Sequence, residues 1–149
     1  MTIKKTFFSL IILFSLNINS TELKPLTSFI DENDLNDASI LEYIAKRCSA
    51  HNLAMTRWTS EGDDVYELAM SNYLTWFGDA ILFRTIKFPE QDQEIAAKNI
   101  IDSILVISEE IDNVMKYSQD MTGSVWEGNS FQTDMMMCNS FSKSMNKYR

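Results

Sequence analysis

The side chains with the most distinctive chemistry here are Cys48, His51 and Cys138, the only histidine and the two cysteines of the chain. Cys48 and His51 stand three positions apart, about one turn of a helix. A Cys–His nucleophile pair needs a free thiolate beside its base. Zinc asks for about four nitrogen, sulfur or oxygen ligands, and one histidine with two distant cysteines supplies them poorly. An even cysteine pair outside the cytosol instead invites a disulfide. Cys48 and Cys138 are therefore expected to bond to each other. His51 is retained as a weak polar core site, because its charge alone would switch near neutral pH.

Other constellations fall short of a site. In DENDLNDASILE, Asp31, Asn33, Asp37 and Glu42 occupy the first, third, seventh and twelfth places of a calcium loop. Leu35 then stands where an oxygen ligand belongs, and Asn36 where the loop needs glycine. The stretch reads better as a helix start capped by Asp37 or Asn36. The pairs Asp63-Asp64 and Glu109-Glu110 fall at a helix start and on a solvent face. No carboxylate pair on an apolar face suggests acid–base work. There is no glycine-rich phosphate loop, G-x-S-x-G, H-E-x-x-H or C-x-x-C. No catalytic, cofactor-binding or metal-binding residue is assigned, and the reading is a non-enzyme. One further feature is Val125-Trp126, an apolar pair in SQDMTGSVWEGNS, which is a candidate interaction loop.

The elements that must position these residues read as helices. Asp63–Phe88 is the most apolar. At about 100° per residue, Val65, Ala69, Trp76, Ala80 and Phe83 fall together, flanked by Tyr66, Met70, Tyr73, Phe77 and Ile81. A stripe that wide must touch more than one neighbour, which places this helix at the centre of a bundle. Ala38–Trp58 is the first long helix, with Ile40, Leu41, Ile44, Cys48, His51, Met55 and Trp58 on one face. Pro89–Tyr117 is the third, starting on proline and an acidic turn. Ser118–Ser130 is a loop. Phe131–Tyr148 is the last helix, lined by Phe131, Met135, Cys138, Phe141, Met145 and Tyr148. Consecutive Met135, Met136 and Met137 cannot share one face, so at least one must be exposed. Thr21–Asp37 is an irregular lead-in that Leu26, Phe29 and Ile30 tack onto the bundle. The fold class expected is a small all-α domain, residues 38–149, with four helices arranged like a bundle.

Residues 1–20 have the order of a cleavable signal peptide: basic Met1–Lys5, apolar Phe7–Leu16, then a polar end at Ser20. The apolar run is short for a membrane span, so no stable membrane insertion is expected once it is removed. The location implied is periplasmic or secreted. The whole chain carries 13 basic and 21 acidic residues. Loss of Lys4 and Lys5 leaves 11 against 21, a net charge of −10. That argues against nucleic-acid binding, which needs a basic footprint, and permits a basic partner.

Three functions compete on this basis. The first is an exported protein that binds a protein or small partner, of the inhibitor, immunity or accessory type. The second is an acid- or stress-responsive holdase of the envelope, suggested by the helical two-cysteine build. The third is an enzyme with an unrecognised site, which would require a pocket of convergent polar groups around His51.

Overall fold

A computed structural model of the chain describes residues 23–145. The leader expected at residues 1–20 and the end of the last helix toward Tyr148 lie outside the described residues. Among the described residues the fold is all-helical, with α1 Leu26–Glu32, α2 Ala38–Thr56, α3 Asp64–Lys87, α4 Gln93–Thr122 and α5 Phe131–Met145. None of these helices is long and apolar enough to cross a membrane.

The helix at the centre is α2, a correction to the placement of α3 there. From Arg47 to Asn52 every residue of α2 is buried. Six consecutive residues sweep more than a full turn of a helix, so this segment is enclosed on all sides. Four of the side chains that allow this are small: Ala45, Ser49, Ala50 and Ala54. They let α3 and α4 approach α2 closely, and α5 also packs on it. By contrast α3 buries Ala69, Trp76, Asp79, Ala80 and Phe83 and leaves Val65, Leu68, Leu74 and Ile86 in solvent. Its apolar stripe is wide because part of it is surface, which hydrophobicity alone does not distinguish.

Polar contacts fix the neighbours of α2. Glu42 is nearly buried and accepts from Arg84 of α3 at 2.6 Å and from Lys46 of its own helix at 2.9 Å. The Ser49 hydroxyl donates to the Tyr73 carbonyl of α3 at 2.9 Å. At the other end Arg57 donates to the Ser108 carbonyl and hydroxyl of α4. Trp58, expected on the inward face of a helix reaching that far, lies beyond the end of α2. Its indole N–H donates to Asp112 at 2.8 Å and its ring is more than a third exposed. A tryptophan offers one face to apolar contact and one polar handle to the surface.

Helix ends follow local chemistry. Asp37 caps α2, its carboxylate accepting from the Ser39 amide at 2.8 Å. The start of α4 is four residues later than proline suggested, because Asp92 accepts from the amides of both Glu94 and Ile95. A carboxylate that satisfies two free amides outcompetes a proline that satisfies none. Replacing Asp92 by alanine should lower stability by about 1 kcal/mol in a chemical denaturation series. The far end of α4 also differs from expectation. It continues through Ser118–Thr122 and stops at Gly123, whose φ of 79° ends it in the left-handed region. Glycine adopts that conformation without side-chain strain. The loop is therefore shorter than 118–130.

The lead-in also holds a helix. Sequence periodicity over Leu26–Glu32 is too short to reveal α1. What stabilises it is remote: the first amide, Leu26 N–H, donates to the Asp134 carboxylate of α5 at 2.9 Å. Leu26 is completely buried, and Phe29 packs on Tyr43 with ring centroids 4.5 Å apart. The tacking expected of Leu26, Phe29 and Ile30 is present, since all three join the core.

Candidate functional site

Cys48 and Cys138 form a disulfide with a Cα separation of 5.5 Å, and both are completely buried. The bond ties the middle of α2 to the middle of α5. With its sulfur committed, Cys48 does not form a thiolate–imidazole pair with His51.

One turn from the disulfide lies a buried polar cluster. Asp134 sits one turn before Cys138 on α5, and Arg47 one turn before His51 on α2. Arg47 donates to Asp134 Oδ2 at 2.8 Å, and the two side chains are 1% and 0% exposed. The other guanidinium arm donates to the Lys24 carbonyl at 3.1 Å and approaches the Tyr43 hydroxyl at 3.4 Å. Asp134 Oδ1 accepts from Leu26 N–H, as described, and Ser130 Oγ lies 3.5 Å from Oδ2. His51 Nε2 is 3.3 Å from the same Oδ2, but not aligned as a hydrogen bond, and neither ring nitrogen has a hydrogen-bonding partner among the described residues. The edge of the His51 ring meets Phe131 at a centroid distance of 5.1 Å.

The electrostatics follow from burial. Desolvation is the largest influence on His51 and pushes its pKa below the ordinary imidazole value. The Asp134 contact opposes this, and the Arg47 charge adds to the lowering. His51 is thus a neutral imidazole at neutral pH. Burial would raise the pKa of Asp134. The His51 contact, the Leu26 amide and the Arg47 charge together outweigh it and hold the carboxyl below its ordinary value. The cluster is a charged Arg47–Asp134 pair beside an uncharged histidine.

A cavity of about 30 Å³ opens beside it, lined by Arg47, His51 and Asp134 with Asn129, Ser130 and apolar neighbours. The pocket of convergent polar groups that an enzyme reading requires is therefore present around His51. Its volume holds roughly one or two waters, far below the ~300 Å³ at which ordinary ligand pockets begin. A larger, shallow groove of about 510 Å³ lies at the turn between α3 and α4, lined by Arg84, Lys87 and Phe88 among others. Its two cations already face Glu42 and Asp37.

The structure separates Val125 from Trp126. Val125 packs against the core, whereas Trp126 is 39% exposed and tilts over Phe131 at 5.2 Å. Asn129 holds the turn closed by donating to Ser118 Oγ at 2.7 Å and to the Val125 carbonyl at 2.9 Å. Glu127, next to Trp126, is exposed. Trp126, Phe131 and His51 thus form a chain of tilted and edge-on ring contacts from the surface to the buried cluster.

Asp134 and Arg47 were not assigned from sequence. Their signal was spacing: Asp134 is four residues before Cys138, and Arg47 four before His51, so each shares the inward face of a residue read as buried. A charge in such a register asks for an opposite charge in the core. Compared with family models, curated proteins and solved structures, the chain matches none.

Proposed function

We propose that this chain is an exported, non-catalytic helical protein that binds a protein or small partner in the cell envelope, as inhibitors, immunity factors and accessory subunits do. In this reading Met1–Ser20 is a removed leader, and α2 to α5 are a four-helix, bundle-like scaffold in a periplasmic or secreted setting. The observation that carries the reading is Trp126. It stands in a short turn braced at both ends, with one face on Phe131 and the other in solvent. A rigidly seated, half-exposed tryptophan is the kind of side chain that anchors protein interfaces. The acidic excess favours a basic partner surface through complementary charge.

The test is a photo-crosslinking residue at position 126 of the protein in its native envelope, with exposed position 119 as control. A discrete adduct from 126 and none from 119 is expected. Identical adducts from both positions, or none from 126, would remove Trp126 as the contact.

A second reading, an acid- or stress-responsive holdase, is favoured by a different observation. The sole histidine is buried uncharged against the ion pair that joins α1, α2 and α5.

A further inference from the structure

We propose that α1 and α5 form an acid-released flap on α2, latched by the Arg47–Asp134–His51 cluster and tethered by the Cys48–Cys138 disulfide. This deepens the holdase reading and rests on it for its purpose.

The geometry makes Asp134 the keystone. Its two oxygens receive the first amide of α1, the guanidinium of Arg47 and the approach of His51. Three chain segments meet at one buried carboxylate, so its loss releases all of them together. The groups around it are few. α2 contributes Arg47 and His51, and Tyr43 through Arg47. The segment before α1 contributes the Lys24 carbonyl and apolar Leu23, since the Lys24 ammonium is outside, paired with Glu32. α4 contributes apolar Ile111 and Val114, and the loop contributes Asn129 and Ser130. Among the described residues the cavity wall therefore holds no other titratable side chain to absorb a proton.

A proton arriving on His51 places a second cation beside Arg47, against one carboxylate, in a space with room for only about one or two waters. The direction follows from linkage. His51 has a depressed folded pKa, so its contribution is complete above the ordinary value of 6.5 and falls as pH drops below it. Asp134 is also depressed, so its contribution falls from the ordinary value of 3.8 downward. Acid weakens the latch in two successive windows and strengthens neither.

What release would uncover is apolar. It is the inner side of the flap itself: Leu26 of α1 and Phe131 of α5 are buried, and Met135, Met137 and Phe141 of α5 are half-buried against the core. Unbranched methionine side chains adapt to irregular apolar partners. Between α2 and α3, Glu42, Lys46 and Arg84 make a three-membered network with no histidine in it. The disulfide uses both cysteines of the chain and keeps the middle of α5 beside α2, which raises the effective concentration for closure on neutralisation.

Hydrogen exchange of the oxidised protein as a function of pH tests this. Below pH 6.5, protection of the Leu26 amide and the α5 amides should fall about tenfold per pH unit, while the α2–α3 contact region keeps its protection. In His51→Gln the first window should vanish and only the lower one remain. Protection that falls together in all helices, or an unchanged profile in His51→Gln, would overturn the flap. Suppression of aggregation of an unfolded model protein, assayed at the same pH values, separates the two layers. Release without suppression would overturn the holdase reading and leave the flap standing.

Discussion

Replacing both Cys48 and Cys138 by serine should lower stability by about 4.5 kcal/mol. The bond closes a loop over a sequence separation of 90 residues, and the chain-entropy relation gives that magnitude for such a loop. The effect should appear as a lower denaturant midpoint and a steeper acid sensitivity, because the tether no longer limits the departure of α5. Reducing agent should act the same way, but slowly, since both sulfurs are fully buried and the attacking thiolate needs access. A double-serine variant within 1 kcal/mol of the parent would mean that α5 is held by packing alone.

The second large effect belongs to Asp134. Replacing it by leucine leaves the Arg47 guanidinium at 1% exposure without its carboxylate, and the Leu26 amide without its acceptor. Removing one partner of a buried pair costs about 3–5 kcal/mol, mostly through the stranded charge. The double variant Arg47→Met with Asp134→Leu should recover much of that loss, because a buried ion pair is often no better than well-packed apolar side chains. Denaturation of the two single variants and the double variant forms the cycle that checks this. A double-variant loss equal to the sum of the two single losses would show that the pair is not coupled.

The parts of this fold legible from sequence are those with local causes. Four long helices follow from a 3.6-residue period, and a capped start at Asp37 or Asn36 from polar residues next to an apolar-periodic run, of which the structure uses Asp37. The disulfide was legible because Cys48 and Cys138 each lie on an inward face. Met136, exposed at 65%, follows from three methionines in a row on one helix. The missing parts have distant causes. α1 is held by a carboxylate 108 residues away. The centrality of α2 depends on small residues, whose burial gives a weak hydrophobic signal although it decides how closely helices approach. The extra turns of α4 depend on Gly123 and on Asn129 bonding back to Ser118. Asp134 and Arg47 give little sign of burial in sequence, because charged residues are usually solvated. Only a partner in the core makes them an exception, and pairing in space is not written in spacing.

Because His51 is the sole histidine, its imidazole can be followed by NMR through a pH titration without assignment ambiguity. The latch described here requires a folded-state midpoint clearly below 6.5, with the neutral ring persisting until the α5 signals begin to change. A histidine that titrates at 6.5 or above while α5 stays closed would contradict it.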